Sequence, residues 1–198
     1  MKETLLSKPS SYFKEAFNRM LDDATTKTND QHILKASWLE TPLGTMLAIG
    51  NDDTLYLLEF VDLRDLERRV ERLRKKTHCF ITSGKAKSID SIEKELTLYF
   101  KRKLKHFKTP FFLIGTPFQK RVWEELLKIP FGETCSYAQL ANNVGNPKGY
   151  RAVARANGAN QFPIIIPCHR VINASGELGG YGGGLSRKNW LLQHEKSI

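Results

Sequence analysis

The sequence predicts an α+β protein in two parts: a small amino-terminal antiparallel sheet with helices, then a mainly helical carboxy-terminal domain holding a helix-turn-helix. Three observations carry this. Between residues 33 and 61 the apolar pattern is strand-like and is broken by Pro/Gly and Asn/Asp turns. From about residue 63 it changes to helical spacing with charged outer faces. Beyond residues 111–114 short helix candidates follow one another, separated by Gly and Pro. The expected divisions are an extension and linker over residues 1–30, an α+β domain over 31–112, and a second domain over 113–198.

Taken in order, residues 22–30 form a polar stretch that reads as a linker. Before it, Ser11 is placed to cap a short amphipathic helix with Tyr12, Phe13, Ala16, Phe17 and Met20 on one side. Residues 33–39 and 45–50 flank Thr41-Pro42-Leu43-Gly44, a turn that joins them as a hairpin. Asn51-Asp52-Asp53 leads into a third strand over 54–61. A charged helix over 63–76 turns Leu66, Val70 and Leu73 inward. A second, over 91–104, buries Ile92, Leu96, Tyr99 and Phe100, with Asp90 and Glu93 spaced as a capping box.

In the second half Thr116-Pro117 is a cap followed by proline at the first helical position. The helix it opens carries Phe118, Val122, Trp123, Leu126 and Leu127 at helical spacing and stops near Pro130. Ser136 caps a short helix over 137–143 that Gly145 terminates. Asn146-Pro147-Lys148-Gly149 links it to another over 150–157, which makes a helix-turn-helix candidate. The second helix begins Tyr150-Arg151-Ala152-Val153-Ala154-Arg155-Ala156, small and basic, which suits close approach to a DNA groove. A last helix spans 186–195.

With 198 residues the chain is long enough to bury a substantial core. No apolar run reaches the roughly 18 residues of a membrane span. Residues 1–23 mix acids with bases and hold no apolar stretch, so no secretory signal is expected. The expected location is a reducing compartment, the cytoplasm of a bacterium or the nucleus of a eukaryote, with Cys79, Cys135 and Cys168 as thiols. An odd cysteine count without a CxxC pair argues against a disulfide framework and against a structural zinc site. The formal net charge of +10 favours a polyanionic partner. Composition alone does not separate that from a solvated basic surface.

The chemistry concentrates around one cysteine. Ile164-Ile165-Ile166 reads as a short buried strand running into Pro167-Cys168-His169-Arg170-Val171-Ile172. A thiolate is the soft nucleophile suited to an sp³ carbon, and it needs positive charge or a base nearby to form at neutral pH. Cys79 and Cys135 have no base beside them and read as small core hydrophobes. Neighbours on a strand point to opposite faces. Pro167, however, begins a helical turn, which brings His169 near the sulfur, through one water. A histidine base also needs an orienting acceptor, and Glu195 on the last helix is the candidate.

On these residues the chain resembles the O6-alkylguanine-DNA alkyltransferases (methylated-DNA–protein-cysteine methyltransferases), whose signature is a PCHRV segment. Pro167-Cys168-His169-Arg170-Val171 matches it without a change. The flanks agree: Thr116-Pro117-Phe118-Gln119 with Val122-Trp123, Ile129-Pro130-Phe131-Gly132-Glu133, Ser136-Tyr137, Asn146-Pro147-Lys148, Arg151-Ala152-Val153 and Gly179-Gly180-Tyr181. The likeness runs from about residue 115 to residue 195; residues 33–110 resemble the family's variable amino-terminal domain only in pattern.

The resemblance implies DNA repair by direct reversal, with the alkyl group of O6-alkylguanine transferred irreversibly to Cys168 in a single turnover. His169, through a water, and Glu195 form the activating relay. Tyr137 meets a phosphate and the flipped base, Arg151 enters the stack in place of the extruded guanine, and Asn160 is a hinge tying the recognition helix to the active-site segment. Arg170 counts with these DNA-binding residues. The carbonyls of Cys168 and Val171 read the guanine amino group; Tyr181, Gly182 and Gly183 line the pocket, with Pro163 at its edge. The alkylated O6 faces into the duplex, so the base must leave the stack before a thiolate reaches it. Glycines over 179–184 allow a close backbone and supply N–H donors for the leaving oxygen. Arg155, one turn beyond Arg151, is expected to add a phosphate contact.

The implied partner is double-stranded DNA, bound through the minor groove with little regard to sequence by a monomer that makes no use of membranes. No metal, nucleotide or redox cofactor is implied, and no zinc-ligand cysteine set stands near the amino terminus. Ser10-Ser11-Tyr12-Phe13-Lys14-Glu15-Ala16-Phe17 resembles the end of an AraC-type DNA-binding helix and reads as a remnant without a regulatory role. Two other readings use the same scaffold. A non-catalytic damage sensor would lack the acceptor cysteine, so Cys168 speaks against it. An alkylation-sensing regulator is weakened by the truncated amino-terminal segment and the missing metal-thiol cluster.

Overall fold

The first hairpin closes where alternating apolar residues meet a two-residue turn. In the computed structural model, which describes residues 17–18, 21 and 32–196, strand β1 (Ile33–Thr41) pairs antiparallel with β2 (Gly44–Gly50). Gly44 takes φ +111°, a conformation open to glycine, and Thr41 Oγ1 donates to its carbonyl at 2.6 Å. Asn51 Oδ1 accepts from the N–H groups of Asp53 and Thr54, which turns the chain into β3 (Leu55–Phe60), antiparallel to β2. The chain divides into two compact units, Met1–Ile114 and Gly115–Ile198.

In the first unit helix α1 (Leu66–Thr77) buries Leu66, Val70 and Leu73, the expected stripe. It also supplies the crossover for a strand the sequence did not announce, β4 (Phe80–Ser83), which pairs parallel with β1 and gives the order β3-β2-β1-β4. Helix α2 (Lys87–Phe100) corrects the expected 91–104. Its first residues are fixed from a distance: Asp52 Oδ1 accepts from Lys87 N and Ser88 Oγ donates to Asn51 O. The Asp90–Glu93 capping box therefore lies inside the helix and does not form; Ala86 is the cap residue and makes no side-chain cap bond.

The helix ends in a Schellman motif. Lys103 N donates to Leu98 O and Arg102 N to Tyr99 O, both at 2.8 Å, with Arg102 at φ +59° in a position that favours glycine. The core of this unit joins Leu34, Ala36, Leu47, Ile49, Leu57 and Ile81 to the α1 stripe. Phe17 belongs to it as well, edge-on to Trp38 with ring centroids 4.9 Å apart. The rest of the expected amino-terminal helix, the linker and most of the AraC-like stretch lie outside the described residues.

In the second unit the local signals hold. Thr116 and Gln119 form a reciprocal capping box on α3 (Pro117–Leu126), and Ser136 and Gln139 do the same on α4 (Tyr137–Asn143). Leu127, expected inward, is exposed. Gly145 ends α4, and α5 (Tyr150–Gly158) completes the helix-turn-helix. Buried Trp123 ties α3 to the end of α5 by donating from Nε1 to Ala156 O at 2.8 Å. Residues 164–166 are not a strand. Pro163 and Ile166 bridge across a turn, Ile166 N donates to Phe162 O, and Ile164 takes φ +75°. All three isoleucines are buried, so their apolar run recorded burial rather than extension. Helix α6 (Leu185–Lys196) closes the unit. Among the described residues no helix is long and apolar enough to cross a membrane.

Candidate active site

Pro167 turns the chain ahead of the cysteine. With φ −79° and ψ 57° it makes a three-residue turn in which Cys168 N donates to Ile166 O at 2.7 Å. Cys168–Arg170 then form one 3₁₀ turn, so their side chains fan out by about 120° each. The expected helical turn after Pro167 is there, and all three residues are buried. The chain leaves as β6 (Val171–Ile172), paired parallel with β5 (Cys135–Ser136), which sets Tyr137 at the start of α4 beside this segment.

Asn160, just past α5, donates from Nδ2 to Cys168 Sγ at 3.1 Å and to Ile166 O at 2.9 Å. Its Oδ1 accepts from Phe162 N at 2.9 Å. One amide thus holds the sulfur and both sides of the isoleucine turn. Asn157, on the buried stripe of α5 with Val153 and Ala156, donates to Cys168 O at 3.3 Å.

His169 is wholly buried, and its Nε2 lies 2.9 Å from Glu195 Oε1. Arg170 grips the same carboxylate with Nε at 2.7 Å and Nη2 at 3.0 Å, and donates from Nη1 to Ile129 O at 2.6 Å. This corrects the expectation for Arg170: its guanidinium is folded inward on Glu195 and over the Phe131 ring. Burial alone would raise the pKa of Glu195, but the hydrogen bonds and charges of His169 and Arg170 hold it well below the usual carboxylate range. An ionised carboxylate only accepts, so Nε2 of His169 carries the proton and Nδ1 is left as an acceptor. Nδ1 is buried and has no protein hydrogen-bond partner. Burial also lowers the pKa of His169 against the pull of Glu195, which keeps the ring neutral at neutral pH.

Lys188, absent from the sequence expectations, is buried here. Its Nζ donates to Val171 O at 2.5 Å and Gly180 O at 3.2 Å, and lies 5.9 Å from the centroid of the Tyr137 ring. Burial lowers its pKa to about 8, with the charge of Cys168 acting the other way. The available signal was its spacing: seven residues before Glu195 puts it on the same helix face two turns earlier. Asn157 carried a similar signal, an asparagine on an otherwise apolar stripe.

Tyr137 is half-buried and its hydroxyl donates to Gly180 O at 3.3 Å. Burial raises its pKa, the charge of Cys168 adds to this, and a hydrogen bond with Asn157 opposes it. Tyr137 also explains one glycine: Gly179 has φ +64°, and a Cβ there would sit 3.1 Å from the tyrosine ring and 2.9 Å from Asn173 Oδ1. Val171 and Pro163 are buried, Tyr181 and Gly183 half-buried, and Gly182 exposed. The carbonyl of Cys168 accepts from Asn157 Nδ2 and from the N–H of Val171, and that of Val171 accepts from Lys188 Nζ. The structure therefore gathers Cys168, His169, Glu195, Asn160 and Tyr137. It leaves Arg151 and Arg155 exposed on α5, Arg151 5.7 Å over the Tyr150 ring. Among the described residues no group of three or more His, Cys, Asp or Glu could hold a metal. The arrangement is that of a clamped thiol with an oriented neutral imidazole and a nearby ammonium.

In sequence and in fold the chain has counterparts among known proteins. Residues 117–197 match the family model described as 6-O-methylguanine DNA methyltransferase, DNA binding domain. A methylated-DNA–protein-cysteine methyltransferase of Mycobacterium tuberculosis is 43% identical over 159 residues, 80% of this chain and 90% of its own. Its counterpart from Methanosarcina barkeri is 38% identical, over 80% of this chain and 95% of its own. The crystal structure of Mycobacterium tuberculosis OGT in complex with DNA aligns with a TM-score of 0.70 at 39% identity, over 83% of this chain and 93% of that one. That of the O6-methylguanine-DNA methyltransferase from Pyrococcus kodakaraensis gives 0.60 at 25% identity, over 83% and 99%.

Proposed function

The chain belongs to the methylated-DNA–protein-cysteine methyltransferases, DNA-binding repair proteins, and on that premise we propose that Cys168 is the sulfur it alkylates, once per molecule. The observation that carries this is the pairing of a thiol clamped by Asn160 with a neutral His169 whose Nδ1 is kept as an acceptor by Glu195.

The substrate is O6-alkylguanine in duplex DNA, approached from the minor groove by a monomer that is indifferent to sequence. The damaged guanine leaves the stack, and Arg151, on the exposed first turn of α5, fills the gap and offsets part of the unstacking cost. Tyr137 meets the phosphate and the flipped base. Tyr181, Gly182, Gly183 and Pro163 line the pocket, while the carbonyls of Cys168 and Val171 read the amino group. Arg155 adds a phosphate contact. His169 Nδ1 takes the thiol proton through one water, and Lys188 faces the thiolate that forms. The sulfur bonds to the alkyl carbon as the carbon–O6 bond breaks, and the bond pair stays with the guanine. The thiol proton balances the guanine released, and loop N–H groups support the departing oxygen. The thioether is stable, so the protein is consumed stoichiometrically.

Incubation with a duplex containing radiolabelled O6-methylguanine tests this. Label moves to the protein, stops at one equivalent, and is lost in Cys168→Ala while DNA binding persists. No mass gained at residue 168 refutes the assignment. Arg151→Ala slows repair in duplex more than reaction with the free base; equal losses count against its role in the stack.

A further inference from the structure

Acids and bases are unevenly spread along the first unit. Residues 1–100 contain 16 lysines and arginines against 16 acids and carry no net charge. Residues 101–108 then add Lys101, Arg102, Lys103, Lys105 and Lys108 with no acid among them. The whole positive excess of this unit therefore lies in eight consecutive positions, and all five cations are exposed.

The segment is anchored at both ends. It begins at the Schellman motif of α2, where Arg102 holds φ +59°. A glycine would take that conformation without strain, so the arginine keeps a charge there at a conformational cost. Phe107 turns back to pack on Tyr99, with ring centroids 5.5 Å apart. Glu95 on α2 accepts from Lys108 N at 2.8 Å and from Thr109 Oγ1 at 2.8 Å. Apolar side chains face in and the cations face out. An ordinary solvated face needs neither the clustering nor a cation in a glycine conformation. Helix α1 shows that alternative: its cations are interleaved along the chain with Glu67 and Glu71.

We propose that residues 101–108 are a second DNA contact, a loop of the first unit that binds backbone phosphates irrespective of base or damage. Duplex DNA presents one negative charge per about 1.7 Å of axis, the partner that clustered cations fit best. The proposal goes beyond alkyl transfer and rests only on DNA being this chain's partner, so undamaged DNA suffices to test it.

The test measures binding of the full chain to an undamaged mixed-sequence duplex by fluorescence anisotropy between 50 and 200 mM salt. Each phosphate that is no longer neutralised lowers the slope of log affinity against log salt by about 0.9. The triple variant Lys101→Gln, Lys103→Gln, Lys105→Gln loses about 2.7 of slope, so its deficit is about 40-fold larger at 50 than at 200 mM salt. Arg102→Gly, which suits the backbone conformation of that turn, loses about 0.9. Arg68→Gln, Lys75→Gln, Lys76→Gln, exposed on α1 and equal in charge removed, keeps the wild-type slope. Unchanged slopes in the loop variants overturn the proposal. So does an equal loss in the α1 variant, which assigns the effect to net charge. Failure of alkyl transfer would leave these slopes untouched, so the two readings fail separately.

Discussion

Replacing Glu195 by glutamine keeps the shape of the side chain and removes its charge, which makes it the sharpest probe of the relay. The carboxylate is 1% exposed and the Arg170 side chain 8%, and three of their hydrogen bonds or ion pairs run at 2.7–3.0 Å. Breaking a buried pair from one side strands the other charge and costs about 3–5 kcal/mol. A second effect is chemical. The glutamine amide can turn its NH₂ toward His169, which then accepts at Nε2 and carries its proton on Nδ1. That removes the acceptor on which general-base help, worth about 10²–10⁴-fold, depends. Two readouts separate these effects: urea unfolding, and single-turnover transfer of labelled methyl to Cys168. Glu195→Gln alone should lose on both. Adding Arg170→Met removes the stranded charge, so stability recovers while the rate stays low. If Glu195→Gln reacts at the wild-type rate, the carboxylate does not set the tautomer. If the double variant recovers rate as well, the defect was one of folding.

Three other outcomes follow from the same geometry. Folding holds the pKa of His169 below its unfolded value of about 6.5 and that of Glu195 below about 4.3. The native state therefore binds fewer protons, and the stability these groups contribute is present above those values and lost as pH falls, first below about 6.5 and then below about 4.3. Urea midpoints at pH 7.5, 5.5 and 4 should drop stepwise, and a flat midpoint from 7.5 to 5.5 would contradict a neutral buried His169. Lys188→Met should slow reaction with free O6-benzylguanine about tenfold at pH 7 by removing a cation that faces the thiolate. The deficit should shrink at pH 9, above the lysine's pKa of about 8; an equal deficit at both pH values would make Lys188 a positioning residue only. Arg102→Gly should relieve about 1 kcal/mol of backbone strain and raise Tm by roughly 2–4 °C. A lower Tm would mean that the arginine's contacts outweigh its conformation.

What was legible in the sequence was local. The caps of the second unit, Thr116 and Ser136, formed where the sequence placed them, and the structure adds a reciprocal partner to each, Gln119 and Gln139. The hairpin and the α1 stripe were equally local. Long-range partners were not legible. The start of α2 is set by Asn51 and Asp52, more than thirty residues upstream, which no capping pattern records. Strand β4 is four residues long, too short for alternation to declare itself. At the site, Cys168, His169, Glu195 and Asn160 came together as the motif implied. The direction of Arg170 could not be read, because successive residues on a 3₁₀ turn diverge and only the fold shows that its guanidinium joins His169 on Glu195 of α6.

The amide of Asn160 does three jobs at once: it touches the sulfur, it fastens Ile166, and its oxygen fastens Phe162. A thioether is a weaker acceptor than the thiolate, and the added methyl enters a place where Cys168 is already 5% exposed. The knot should therefore slacken once Cys168 carries the methyl group. Amide hydrogen exchange at Phe162 should quicken in the alkylated protein, and unchanged protection there would show the knot intact. A molecule that has reacted would then differ from a fresh one in its own rigidity, at a place set by this one amide.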